Sequence, residues 1–118
     1  MSSNKQLVET HLTRTKRSES DSILAEDVEW VEWGDGVPPT GAVTRGKKAF
    51  IQNYGDDELD TQIVRMVEEN NVVVVEGITR VTKKDGRVFN VRFVNIFELE
   101  KGKVKRKTSF GALLKDAA

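Results

Sequence analysis

The sequence predicts an α+β domain in which helices cover one face of a curved, mostly antiparallel sheet. Helical patterning is confined to the first 54 residues, where three short segments carry it. From Thr61 onward the chain alternates apolar and polar residues in runs punctuated by the turn dipeptides Asn70-Asn71, Asp85-Gly86 and Lys101-Gly102. The resulting order, α-α-β-α-β-β-β-β, places helices ahead of a strand meander. The 118 residues make one domain, 1–118, large enough for a single core.

The first helix is predicted over Asn4 to Arg14. Ser2, Ser3 or Asn4 can cap it, and Leu7, Val8, His11 and Leu12 fall on one side by helical spacing. Ser18 to Ala25 is read as a second helix, with Ser20 or Asp21 as caps and Ile23 and Leu24 turned inward. Val28 to Trp33 alternates as the first strand, with Val28, Trp30 and Glu32 on one face and Glu29, Val31 and Trp33 on the other. Gly34 to Gly41, with Pro38-Pro39, is a loop. Gly46 introduces a third helix through Tyr54, in which Phe50 and Tyr54 lie one turn apart. Strands then follow over Thr61–Glu68, Val72–Thr82, Arg87–Leu99 and Lys103–Phe110, with Asp85-Gly86 as a type I′ hairpin signal.

Composition narrows the functional classes. Hydrophobic residues are 37% and charged residues 32%, as in a folded soluble domain, and formal net charge is zero. No global field favours nucleic acid or an anionic membrane surface. The absence of Cys excludes disulfides, thiolate metal sites and Cys nucleophiles, and makes the cytoplasm the default compartment. The longest apolar run, Val72 to Val75, is far too short to span a bilayer, and MSSNKQLVET has no apolar signal core. No phosphate-binding loop, dinucleotide fingerprint, HExxH or GxSxG is present, so no cofactor or metal is expected.

The candidate chemistry rests on isolated polar residues in apolar settings. Glu32 shares a strand face with Val28 and Trp30; it either ends the strand at a wet rim or faces a desolvated pocket. A carboxyl in the second setting titrates above its usual value and can move protons. On the long strand Phe89, Val91, Phe93, Asn95, Phe97 and Leu99 share a face, and Asn95 is its single polar member. That amide either bonds a loop backbone or lines a polar cavity. His11 is a satisfied helix-face residue or a pocket acid or base. Lys103, Lys105 and Lys107 are read as one solvated strand face, since no aromatics alternate with them to make a nucleic-acid platform. Arg106 and Glu76 fall in the more apolar registers of their strands; each is either a pocket charge or, the reading preferred, a charge at an exposed strand end. Val72 to Val75 is apolar on both faces, and the Val88/Asn90/Val94/Ile96 face is largely uncharged. A second subunit covering the outer sheet face would account for both.

Three segments carry a resemblance to a known family: Leu24-Ala25-Glu26-Asp27-Val28-Glu29-Trp30-Val31-Glu32, Gly46-Lys47-Lys48-Ala49-Phe50-Ile51-Gln52-Asn53-Tyr54, and Val94 to Val104, with its Glu-Lys-Gly-Lys turn. With the element order they resemble the nuclear transport factor 2-like superfamily, which includes ketosteroid isomerases and SnoaL-like polyketide cyclases. The resemblance covers nearly the whole chain and implies a cone-shaped sheet wrapped round an apolar pocket and closed by helices. In ketosteroid isomerases a general-base aspartate ends the first strand, where Glu32 falls. A neutral aspartic acid on the penultimate strand donates to the substrate oxyanion, where Asn95 falls. A supporting tyrosine ends the third helix, where Tyr54 falls. The first helix here has no counterpart of the family's principal oxyanion tyrosine; His11 stands near that position. Glu for Asp lengthens the base by one methylene, and a misplacement near 1 Å can cost about 100-fold in rate. The Asp-Arg-Asp cluster of limonene epoxide hydrolases has no counterpart, and positions 88–110 hold neither the His nor the Asp that SnoaL-like cyclases favour near the last strands.

These readings imply a pocket for a small hydrophobic, carbonyl-bearing molecule. As an isomerase or cyclase it uses Glu32 as proton shuttle and Asn95 as oxyanion donor, with His11, Trp30, Trp33, Tyr54 and Phe93 as binding residues. The alternative is a non-catalytic ligand-binding or dimeric interaction protein of the same fold. The expected partners are that small molecule and a second copy of the chain.

Overall fold

The computed structural model describes residues 3–14, 21–55 and 57–114. Helix α1 spans Asn4–Thr13. Ser3 caps it: its side chain accepts from the Gln6 N–H while the Gln6 side chain accepts from the Ser3 N–H, so orphan amides are satisfied reciprocally. Val8, His11 and Leu12 face the core. Helix α2 spans Lys47–Tyr54 and buries Phe50 and Tyr54, as the spacing predicts.

The strands are β1 (Leu24–Gly34), β2 (Ala42–Arg45), β3 (Glu58–Glu69), β4 (Val72–Thr82), β5 (Val88–Glu100) and β6 (Lys103–Leu114). They form one open sheet in the order β2-β1-β6-β5-β4-β3. Strands β3 to β6 are the predicted antiparallel meander. The first strand returns to lie parallel to β6, and β2 pairs antiparallel on its other edge.

Several expectations need correction. The described residues hold two α-helices rather than three. Of the helix expected over 18–25, positions 18–20 lie outside the described residues. Asp21–Ile23 is a single 3-10 turn, and Leu24 already opens β1. Buried Leu24, Val28 and Trp30 are spaced by even steps, a strand period that prevails over the helical reading of a short apolar pair. Strand β2, four residues long, was not anticipated; its pairing with β1 supplies what so short a segment lacks locally. The type I′ turns are at Asn70-Asn71 (φ 51° and 64°) and Lys101-Gly102 (φ 51° and 74°). At Asp85-Gly86 only Gly86 has positive φ.

The correction with most consequence is in β6. Leu99 pairs with Val104, but Glu98 pairs with Arg106, so Lys105 is an extra residue, a β-bulge. Beyond a bulge the alternation changes phase and every following side chain switches face. Val104 is inside before it and Lys107 is inside after it, with Lys107 only 1% exposed. The reading of Lys103, Lys105 and Lys107 as one solvated face therefore fails at Lys107. Arg106 is turned out, where it donates to Glu29 at 2.7 Å.

Registers on the inner face place side chains in rows across the sheet. One row runs Val73, Phe97, Lys107, Trp30; the next runs Val75, Asn95, Ser109, Glu32; the next runs Gly77, Phe93, Gly111, Gly34. Helices α1 and α2 cover the first row, where Phe50, Phe97, Leu12 and Val8 are fully buried. Burial of a side chain of this size contributes about 1.5–3 kcal/mol. The glycine row leaves the other end open. A Cβ on Gly77 would lie 2.8 Å from the Phe93 ring, and one on Gly34 would lie 2.1 Å from the Gly111 carbonyl oxygen.

Candidate functional site

The open end of the cone is a cavity of about 270 Å³. Leu59, Val81, Phe89, Val91 and Phe93 form much of its wall, with Trp30 and Tyr54 toward the helices and Trp33, Val37 and Phe110 near the loop after β1. Its polar lining is Glu32, Asn53, Asn95, Lys107 and Ser109, with Asp35, Asp57 and Thr79.

The expected site residues are brought together with one displacement. Glu32, Trp30, Trp33, Tyr54, Phe93 and Asn95 all line the cavity. His11 is buried behind the wall and reaches the site through Tyr54, its Nε2 lying 3.1 Å from the Tyr54 hydroxyl. Asn95 is 4% exposed and is the polar member of the inner face of β5, as the alternation requires. Trp30 is inward and 7% exposed; Trp33, one face over, is 40% exposed and packs its ring against Gly41.

Each polar group is set by its register. Ser109 lies between Asn95 and Glu32, so those two are separated by two strand spacings, about 9–10 Å. The Trp30 indole N–H donates to Ser109 Oγ at 2.9 Å. Glu32 is partly exposed, and its Oε1 accepts from Asn53 Nδ2 of α2 at 2.8 Å, which fixes the carboxylate beside the cavity.

One row deeper lies a group that the alternation concealed. Lys107 Nζ donates to the Tyr54 hydroxyl at 2.6 Å. It sits 4.1 Å from the centre of the Trp30 ring, 4.9 Å from that of Tyr54 and 5.7 Å from that of Phe97. Aromatic faces attract an ammonium electrostatically, the more so when water is excluded. Trp30, Phe50 and Tyr54 pack on one another with centroids 4.8–5.7 Å apart, which holds the box rigid. Lys107 and Glu32 are diagonal neighbours on the adjacent strands β6 and β1. Sequence reasoning missed Lys107, Ser109 and Asn53. The bulge hid the first two, and only docking of α2 on β1 brings the third to Glu32.

Among the described residues no group of three His, Asp or Glu side chains is placed to hold a metal ion. No described helix is long and apolar enough to cross a membrane.

Residues 5–107 match the SnoaL-like domain family. Solved structures share the fold. A protein of unknown function from Burkholderia pseudomallei, described as nuclear transport factor 2-like, is 27% identical, with TM-score 0.72 over 92% of this chain and 90% of that one. A limonene-epoxide-hydrolase-like epoxide hydrolase from Mycobacterium tuberculosis is 16% identical, with TM-score 0.73 over 92% and 81%. A putative ketosteroid isomerase from Kribbella flavida is 18% identical, with TM-score 0.70 over 98% and 82%. No protein of curated function matches the sequence significantly.

Proposed function

The chain belongs to the SnoaL-like domain family, within the nuclear transport factor 2-like superfamily, and we propose that its cone binds a small apolar, carbonyl-bearing molecule and acts on it as an isomerase- or cyclase-like enzyme. The observation that carries this reading is the polar row Asn95, Ser109, Glu32 set across a cavity walled by Leu59, Val81, Phe89, Val91 and Phe93. A carbonyl oxygen placed at the Asn95 end is within reach of an amide donor. The carbon next to that carbonyl then lies toward Glu32, whose carboxylate takes a proton from it; in a β,γ-unsaturated ketone the carboxyl returns that proton to the γ-carbon as the double bond moves into conjugation with the carbonyl. Asn53 keeps the base aimed, so little reorganisation is needed when the proton moves. Small-molecule sites commonly run to about 300–1,000 Å³, so this cavity suits a molecule of one or two rings.

Proton transfer tests it directly. Small cyclic ketones incubated with the protein in D2O should exchange their α-hydrogens faster than in buffer, followed by proton NMR. Glu32→Gln should slow exchange by about 10²–10⁴-fold, the usual contribution of a positioned acid–base group. Ketone binding without exchange above buffer would favour the alternative, a non-catalytic binding protein of the same fold.

A further inference from the structure

Lys107 has no part in the reaction above, yet it is the most costly residue in the core to place. It is 1% exposed, lines the cavity, and is enclosed by the rings of Trp30, Tyr54 and Phe97. Burial of an amine is stabilising only if something else recovers its lost hydration, and two polar side chains within reach, Tyr54 and His11, form a directed chain. Lys107 Nζ donates to the Tyr54 oxygen at 2.6 Å. The Tyr54 oxygen lies 3.1 Å from His11 Nε2. With the lysine donating, the tyrosine hydroxyl proton is directed at the imidazole. His11 is in the last turn of α1 and its Nε2 faces the hydroxyl. A proton leaving Lys107 thus has a path and an acceptor.

We propose that Lys107 is an amine nucleophile that condenses with the carbonyl group of the pocket's ligand, with Tyr54 and His11 as the relay that holds its proton. The Lys107 ammonium gives a proton to the Tyr54 oxygen as the Tyr54 proton passes to His11. The free amine attacks the carbonyl carbon, forming a C–N bond. The relay then returns the proton to the former carbonyl oxygen, which takes a second from nitrogen and leaves as water. In sum, an ammonium and a carbonyl become a protonated imine and water, with charge and atoms conserved. The imine places a positive charge next to the carbon that faces Glu32, so a covalent electron sink does the work otherwise assigned to an oxyanion donor. This rests on the reading of the cavity as a site for carbonyl compounds and names how the carbonyl is held.

Benzaldehyde is a suitable probe: it is apolar, has one ring, and has no α-hydrogen for Glu32 to remove. Protein incubated with benzaldehyde and sodium cyanoborohydride should acquire a benzyl group at Lys107 ahead of the exposed lysines, read by peptide mass mapping of the unaltered chain. Lys107→Met should lose that adduct, and Tyr54→Phe should slow its formation by about 10²-fold while the labelling of exposed lysines stays unchanged. Binding of benzaldehyde is followed separately by saturation-transfer NMR. Binding with labelling only of exposed lysines overturns the inference and leaves the carbonyl pocket standing. Neither binding nor labelling of Lys107 overturns both.

Discussion

Tyr54 is the residue on which the buried polar groups converge. Its hydroxyl meets both Lys107 and His11, and its ring packs on Trp30 and Phe50. Tyr54→Phe keeps the ring and removes the oxygen, so two buried nitrogens lose a partner at once. Stranding a buried polar group costs about 1–3 kcal/mol, and a loss in that range is expected from urea unfolding. An unchanged midpoint would mean that water replaces the hydroxyl. Asn95 discriminates in another way. Asn95→Leu roughly conserves volume; if the amide serves the ligand, ketone exchange falls and the unfolding midpoint holds. Lost stability with unchanged exchange would make Asn95 scaffold.

At the scale of elements, β6 decides the site, and its bulge decides β6. Deleting Lys105 would restore simple alternation from Val104 onward and leave Lys107 and Ser109 inside the cone, since Leu99 already pairs with Val104 and Glu98 with Arg106. A folded variant with Lys107 still in the aromatic box is expected, because every remaining residue of β6 keeps its partner on β5. A deletion variant that loses its cooperative thermal transition would show that the bend the bulge gives β6 is itself required. The outer side of the same β1–β6 junction holds Glu29, which accepts from Arg106 at 2.7 Å and from Arg45 at 3.1 Å. The hydrogen bond from Arg106, and then that from Arg45, hold its carboxyl below the ordinary value of 4.5. A depressed folded pKa contributes stability that is present above the unfolded value and lost as pH falls through the folded one. Arg106→Gln should therefore lower the urea midpoint at pH 7 relative to the native chain, with the gap closing in acid. A gap independent of pH would assign the effect to packing of the Arg106 side chain.

Across the whole molecule the outer face of the sheet repeats the row logic of the inner one. One row runs Val67, Val74, Ile96, Thr108, Val31, Val43 across every strand. Val67, Val74 and Val43 are 52%, 36% and 50% exposed, and Val94 and Phe110 in the neighbouring row are 38% and 44% exposed. Ion pairs flank this band, Glu29 with Arg106 and Arg45 on one side and Glu76 with Arg92 on the other. An exposed apolar band of that extent on a monomer is unusual, and its charged borders suit a two-fold partner carrying the same pattern. A homodimer through this face is expected in sedimentation at micromolar concentration, and Phe110→Asp should shift it to monomer. A native chain that sediments as a monomer of about 13 kDa, the chain mass of 13.3 kDa, would refute it.

The α+β class, the antiparallel meander from β3 to β6, the inward set of β5 with Asn95 in it, and the Phe50–Tyr54 pair of α2 were legible in the sequence. Each depends on periodicity, turn dipeptides or caps, which act over a few neighbouring residues. The resemblance carried by the segments around Glu32, Tyr54 and Asn95 brought those residues to one cavity in advance. Other features depended on contacts between distant segments. The start of β1 at Leu24, the existence of β2 and the parallel pairing of β1 with β6 are stabilised by partners remote in sequence. So is the bulge at Lys105: no local preference separates a lysine on a wet face from one a phase shift away inside an aromatic box. One extra residue opposite Glu98 and Leu99 inverts that choice, and the hydrogen-bonded chain from Lys107 through Tyr54 to His11 forms only because strand, helix and helix meet there.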